Sequence, residues 1–161
     1  MTSEMSGLSA LPDSVRRAAV VSGYFNPLHI GHLDMMEGAR ALADALVVIV
    51  NNDAQQVLKK GKVITEETDR LRIVNALRVA DAALVAVDED ATVAASLETI
   101  HAAYPDVELV FCNGGDRSPD GDPVPTAEAG VCERLGISMT WGVGGESKAD
   151  SSSRINDELG I

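Results

Sequence analysis

The chain has 161 residues, of which 45% are hydrophobic and 3% aromatic, so we expect one domain with an aliphatic core. Its formal net charge of −12 at pH 7 argues against nucleic acid as a partner, because phosphate backbones require a basic surface. This charge leaves open a small anionic substrate that is held in a local basic pocket.

Residues 1–14 contain Ser, Gly and Pro without periodicity, so we expect a flexible N-terminal arm before a single domain over residues 15–161. The sequence predicts neither a signal peptide nor a membrane-spanning run, and we therefore expect a cytoplasmic protein with no membrane partner. Cys112 and Cys132 stand alone without metal-ligand spacing, and we expect both to be reduced and partly buried.

The segment over residues 18–43 predicts a strand, a turn and a helix. Residues 18–22 form a short apolar run that is typical of a buried strand. Gly23 ends this run, and the Asn26-Pro27 pair marks a turn. Apolar residues at helical spacing follow, which predicts a helix from about His32 onward.

Two histidines, His29 and His32, flank Gly31 where this helix begins. A helix start offers backbone N–H groups and the positive end of a dipole, which attract phosphate, and Gly31 leaves room for a ligand near the backbone. Imidazoles at this place can donate to charge that develops on phosphate oxygens. Capping or packing is the alternative role, but two histidines in one turn favour the functional interpretation.

The rest of the chain alternates strands and helices. Further strands are predicted over residues 45–50, 82–87, 107–112 and 137–143. Further helices are predicted after Thr65, which can cap the first of them, over 92–103, over 126–135 and from the serines at 151–153 to Leu159. Loops are predicted over 55–64 and over the acidic residues 88–90, which we expect to be solvated. This alternation predicts an α/β fold, a Rossmann-like three-layer α/β/α domain with a five-stranded parallel sheet.

Polar residues follow the second predicted strand, where Asn51 comes directly after the last apolar residue and is followed by Asn52 and Asp53. Open α/β sheets bind ligands at the carboxyl ends of their strands, which makes both side chains candidates for binding a substrate. A turn closed by an Asx cap explains the same residues equally well.

The four lysines of the chain lie in two segments, one with Lys59, Lys60 and Lys62 and the other with Lys148. We interpret both segments as loops that could close over a triphosphate, with the ammonium groups as mobile point charges. A solvated basic patch is the alternative.

The order of strand, Gly23, Phe25, turn and His29-Ile30-Gly31-His32 resembles the HxGH signature of the nucleotidyltransferase superfamily. Members of that superfamily transfer a nucleoside monophosphate from a nucleoside triphosphate to a phosphate or a similar acceptor. Many members have Asp where this chain has Asn26. Phe-Asn-Pro also occurs in adenylyltransferase members, so the resemblance leaves the nucleotide base open at this position.

Further segments resemble the cytidylyltransferase-like branch, such as the glycerol-3-phosphate, heptose-phosphate and phosphonate cytidylyltransferases. Asn113-Gly114-Gly115-Asp116 is similar to the glycine-rich turn after the fourth strand, although Arg117 replaces the usual aromatic residue. The serines at 151–153 are similar to the C-terminal Ser/Thr segment, although their lead-in over 146–150 differs. The helix with Arg72 corresponds to one that presents a basic residue to the active site.

This resemblance implies transfer of CMP from CTP to a small phosphate or phosphonate acceptor, with release of pyrophosphate. We assign catalytic roles to His29, His32 and Lys62, and acceptor binding to Asn52, Asp53 and Arg72. The candidates for nucleotide binding are Gly23, Tyr24, Phe25, Asn26, Gly31, Lys59, Asn113, Gly114, Gly115, Asp116, Lys148, Ser151, Ser152 and Ser153. We expect Mg²⁺ to bridge the triphosphate with few protein ligands, and we expect a homodimer.

Two other functions fit the same residues. Adenylyl transfer from ATP by the same fold is the first, and a comparison of CTP and ATP turnover separates it. A non-catalytic nucleotide sensor is the second, and it would bind a nucleotide without releasing pyrophosphate. A class I aminoacyl-tRNA synthetase is discounted, because 161 residues with a net charge of −12 leave no anticodon domain and no affinity for tRNA.

Overall fold

The computed structural model describes residues 8–114, 126–143 and 152–160. Five strands pair in parallel in the order β3-β2-β1-β4-β5. The strands are β1 (Arg17–Gly23), β2 (Ala45–Val50), β3 (Ala82–Val85), β4 (Glu108–Gly114) and β5 (Ser138–Val143). The helices are α1 (Ile30–Arg40), α2 (Asp53–Lys60), α3 (Glu67–Asn75), α4 (Ala94–Ala103), α5 (Thr126–Leu135) and α6 (Ser152–Leu159). The predicted Rossmann-like fold is confirmed.

The sheet separates two aliphatic cores, which makes the domain three-layered. In β2 every residue is buried, and alternate side chains enter opposite cores. Val47 and Ile49 pack into the core that contains Leu97 of α4, whereas Leu46 and Val48 pack into the core that contains Met36 of α1. Burial on both faces explains why this strand reads as a continuous apolar run.

The N-terminal segment packs against the domain from residue 8 onward. Leu8 is 3% exposed and belongs to the core that contains Leu97. The Tyr104 hydroxyl donates a hydrogen bond to the Ser9 carbonyl oxygen, and burial raises the pKa of Tyr104 to about 12. Of the arm expected over residues 1–14, only residues 1–7 therefore lie outside the described part of the chain.

The prediction of a loop over residues 55–64 is wrong for its first part, because Lys59 and Lys60 end helix α2. The Asn52 side chain accepts from the Gln55 backbone N–H, and the Gln55 side chain accepts from the Asn52 N–H. Gly61 ends the helix with φ +80°. Asn-x-x-Gln followed by a glycine at helix length is a sequence signal for these caps that could have found the helix.

Two further local predictions are wrong. The N-cap residue of α3 is Glu66 rather than Thr65, and the Glu66 side chain makes no capping hydrogen bond. Asp88 was placed in a solvated acidic loop, but it is 6% exposed and accepts from the backbone N–H groups of Ala95 and Ser96 at the start of α4. Short side-chain caps of this kind lack a periodic signature. No helix in the described ranges is long and apolar enough to cross a membrane.

Both cysteines are free and buried, as expected, and burial raises the pKa of the Cys112 and Cys132 thiols to about 11. Because the thiolate is the nucleophile, and a pKa of about 11 leaves only about one thiol in a thousand ionised at pH 8, both groups are poor nucleophiles while they are buried. We therefore expect negligible labelling by a disulfide reagent at pH 8 in the native state and labelling of both cysteines in guanidinium chloride. A rapidly reacting thiol in the native state would contradict the burial described here.

Candidate active site

The predicted site segments meet at one edge of the sheet. The strand order reverses between β1 and β4, which pair directly with Val20 opposite Phe111. The carboxyl ends of these strands, at Gly23 and Gly114, therefore lie side by side. In open α/β sheets such a switch point forms the crevice that binds ligands.

Gly23 and Phe25 determine how the chain leaves β1. Phe25 is 3% exposed and has φ +52°, a left-handed conformation that bulky residues rarely adopt. Its ring packs so closely on Gly23 that a Cβ atom there would lie 2.6 Å from two ring carbons. The same ring meets the imidazole of His32 edge-on, with centroids 4.8 Å apart. The Phe25 ring thus lies between the end of β1 and the His32 imidazole and supports the position of that histidine.

His29 and His32 together cap helix α1. The Gly31 backbone N–H donates to Nδ1 of His29 at 3.1 Å, and the His29 backbone N–H donates to Nδ1 of His32 at 3.1 Å. The His32 backbone N–H donates to the His29 carbonyl oxygen. These bonds correct the expectation that the helix start offers its own N–H groups to phosphate, because those of Gly31 and His32 are satisfied within the cap.

The cap also fixes the chemical state of both rings. A nitrogen that accepts a hydrogen bond must carry a lone pair, so each neutral imidazole holds its proton on Nε2. The two ring centroids lie 3.9 Å apart with the planes tilted by 30°. The pair therefore carries two Nε2–H donors in adjacent, half-buried rings at the switch point.

Asn26 and Tyr24 connect this loop to the lysine-bearing region. Asn26 is 3% exposed, and its Oδ1 accepts from the backbone N–H groups of Ile64 and Thr65 at 3.2 and 2.9 Å. The Lys59 ammonium lies 4.4 Å from the centroid of the Tyr24 ring. Lys62 is exposed two residues before Ile64. The structure thus brings Lys59, and the backbone of the segment that carries Lys62, to the loop that contains Tyr24 and Asn26.

The candidates for acceptor binding have structural partners. Asn52 caps α2, and its amide donates to the carbonyl oxygens of Ala86 and Asp88. Asp53 forms a 2.7 Å ion pair with Arg70, whose side chain is fully buried. Arg72 is exposed on α3. Of the two alternatives for Asn52, the structure shows the cap.

Arg70 is the residue at this site that sequence reasoning missed. Arg70 and Arg72 are two positions apart in a charged stretch with a weak apolar period, so nothing in the sequence indicates that one of them is buried. Arg70 is 1% exposed, and its guanidinium donates to the carbonyl oxygens of Tyr24, Asn51 and Thr65. The only advance signal was a resemblance that placed a basic residue in this helix.

The remaining candidates lie in β4, at the start of α6 and outside the residues that the structure describes. Asn113 is 3% exposed and donates from Nδ2 to the Thr140 carbonyl oxygen, while Gly114 pairs with Val143 at the end of β5. Ser152 and Ser153 begin helix α6. Gly115, Asp116, Lys148 and Ser151 lie outside the described residues.

Residues 20–122 match the model of a family described as cytidylyltransferase-like. The chain belongs to the cytidylyltransferase-like family. This result confirms the expected nucleotidyltransferase domain at the level of the family. The matched range holds the histidine cap, Arg70 and the end of β4, which are the parts of the switch point described above.

Relatives of this family member include the bifunctional protein HldE of Koribacter versatilis, 36% identical over 65% of this chain and 20% of that protein. FAD synthase of Methanosarcina barkeri is 44% identical over 44% of this chain and 50% of that protein. The chain thus matches a fifth to a half of the length of these relatives. The crystal structure of a lipopolysaccharide core biosynthesis protein from Thermoplasma volcanium has a TM-score of 0.59 at 25% identity, covering 83% and 98% of the two chains.

Replacing Gly23 tests whether the Phe25 ring supports the site. Gly23→Ala would force a Cβ atom against the ring, and we expect it to lower the free energy of unfolding by about 1–3 kcal/mol. Gly130→Ala is the matched control, because nothing lies within 4 Å of a Cβ atom there and the residue is inside helix α5. We expect this control to stabilise the protein by about 0.5–1 kcal/mol. Urea unfolding measures both, and equal effects would contradict the proposed contact.

Proposed function

We propose that this domain transfers a nucleoside monophosphate from a nucleoside triphosphate to a phosphate or phosphonate oxygen of a small acceptor. The acceptor oxygen forms a bond to the α-phosphorus, the bond to the bridging oxygen of the β-phosphate breaks, and pyrophosphate leaves with that electron pair. The observation that supports this proposal most is the histidine cap, which carries two Nε2–H donors at the switch point of the sheet.

The protein's part in such a reaction is positioning and charge stabilisation. Negative charge on the α-phosphate oxygens rises as the acceptor attacks, and donors that are already oriented stabilise it without reorganisation. Nδ1 of each histidine is held by a backbone N–H, so neither ring turns freely when the charge develops. Lys62 and Lys148 would neutralise the β- and γ-phosphates as point charges.

Mg²⁺ belongs to this proposal as a partner of the triphosphate. Within the described residues no group of three or more His, Cys, Asp or Glu side chains could hold a metal ion. Mg²⁺ keeps several waters and binds mainly through substrate phosphates, so the proposal calls for few protein ligands. Bound there, the ion would neutralise phosphate charge, and no dedicated protein cage is required.

CTP is our first candidate for the nucleotide, supported by the family match and by the resemblance of the sequence Asn113-Gly114-Gly115-Asp116 to that of cytidylyltransferases. ATP is the second candidate, favoured by the 44% identity with FAD synthase, whose product contains an adenylyl group. A small anionic acceptor and a homodimer complete the proposal.

His32→Gln separates catalysis from capping. Glutamine at the third position of a helix can accept the hydrogen bond from the cap residue, so the cap is retained while the imidazole is lost. We expect turnover to fall on the order of a hundredfold or more, with nucleotide affinity changed far less, because the lost interaction forms mainly in the transition state. Initial rates and calorimetric binding measure the two effects.

His101→Ala is the control for this experiment. His101 lies in the last turn of α4, outside the switch point, and its replacement should leave turnover unchanged. His32→Ala should lose turnover like His32→Gln and also about 0.5–2 kcal/mol of stability, because it removes the cap. Near-normal turnover in folded His32→Gln would contradict the role of the imidazole.

Pyrophosphate release from each of the four nucleoside triphosphates decides the base. We expect one nucleotide to be used well above the other three, because a site that pairs the polar groups of one base leaves some unpaired with another. The assay would contain Mg²⁺ and a mixed pool of sugar phosphates, polyol phosphates and phosphonates. ATP above CTP selects the second candidate, and binding of nucleotides without any pyrophosphate release indicates a sensor.

A further inference from the structure

The segment 61–66, which we call the lysine segment, lies between α2 and α3 and carries Lys62. The histidine loop is the segment 24–29 between β1 and α1. We propose that Asn26 and Arg70 are positioning residues that hold the lysine segment against the histidine loop. The inference rests on the proposed function only where it takes Lys62 to contact phosphate.

Both backbone groups of Thr65 are held from the direction of the histidine loop. Oδ1 of Asn26 accepts from the Thr65 N–H at 2.9 Å, and Nε of Arg70 donates to the Thr65 carbonyl oxygen at 2.7 Å. Oδ1 of Asn26 also accepts from the Ile64 N–H at 3.2 Å. Three consecutive peptide groups of the lysine segment are therefore bonded to side chains that belong to, or contact, the histidine loop.

Arg70 connects three segments with one guanidinium. Its Nη1 donates to the carbonyl oxygens of Tyr24 at 2.7 Å and Asn51 at 2.6 Å, and its Nη2 donates to Asp53 at 2.7 Å. Tyr24 belongs to the histidine loop and Asn51 follows the end of β2. The planar guanidinium fixes these acceptors relative to one another, which a lysine side chain could not do.

Little else holds the lysine segment in place. Gly61, Lys62, Ile64 and Glu66 are exposed, and Val63 and Thr65 are only partly buried. A segment without a buried apolar side chain owes its position to hydrogen bonds. The bonds to Asn26 and Arg70 therefore determine where the Lys62 ammonium lies relative to the paired imidazoles.

The position of the segment can be measured without any substrate, because trypsin cleaves after Lys62. Asn26→Ala removes an acceptor shared by two N–H groups, and we expect cleavage after Lys62 to become roughly tenfold faster under native conditions. Asn26→Asp is the matched control, since a carboxylate oxygen accepts the same two hydrogen bonds, and its cleavage rate should stay near that of the wild type. Cleavage after Arg134 reports global unfolding in each variant.

Enzyme kinetics test whether the two residues act through Lys62. With the best nucleotide, Asn26→Ala should lower kcat/KM, and the double variant Asn26→Ala/Lys62→Ala should lose no more than Lys62→Ala alone. Arg70→Lys retains the buried charge but loses the planar guanidinium. We expect it to raise the KM for the triphosphate by a larger factor than the Kd for the monophosphate, because only the triphosphate has the phosphates that Lys62 is proposed to contact.

The outcomes separate this inference from the proposed function. Cleavage of Asn26→Ala after Lys62 at the wild-type rate, or additive losses in the double variant, would overturn the positioning role. Failure of the wild type to release pyrophosphate from any nucleotide would overturn the proposed function, and the trypsin comparison would still decide whether Asn26 holds the lysine segment.

Discussion

The switch point depends on one buried charge. Burying a guanidinium away from solvent costs free energy unless hydrogen-bond acceptors and a counter-charge surround it. The carbonyl oxygens and the carboxylate around the buried Arg70 must therefore all be in place for the fold to be stable. The acceptors come from the loop after β1, the end of β2 and the segment before α3. The requirement that Arg70 be satisfied therefore ties the local geometry of the histidine loop to the global fold. This constraint gives the candidate site a well-defined position, although many of its residues lie on loops.

In the proposed reaction, each histidine ring would serve a structural role and a functional one at once. Nδ1 of each ring completes the helix cap, and the opposite side of each ring is what a phosphate would meet. Capping alone would be served by Ser, Asp or Glu, which are the usual residues at these positions. Their replacement by two imidazoles that remain neutral while capping is the feature that a purely structural role does not explain.

Periodicity predicted the sheet well and the polar connections poorly. Apolar runs such as β2 are visible because burial on both faces leaves a continuous signal, and each strand was found to within about two residues of its observed bounds. Helix α2 was missed because most of its residues are polar, and its caps rather than its core positions define it. The burial of Arg70 and Asp88 could not be predicted, since each depends on partners distant in sequence. The paired histidines could be recognised because both lie in one short segment, so their spacing is visible in the sequence without any tertiary information.

The strand order has a consequence for how the chain acquires its structure. The central strand β1 is the first to be synthesised, and β2 and β3 can extend the sheet on one side soon afterwards. The other edge of β1 acquires a partner only when Arg17 meets Glu108 at the start of β4. Until then the apolar pair of β1 and β2 presents an open edge, which can pair with another chain. The parallel pairing of β1 with β4 joins residues far apart in sequence, so this edge is a point at which aggregation can begin during biosynthesis.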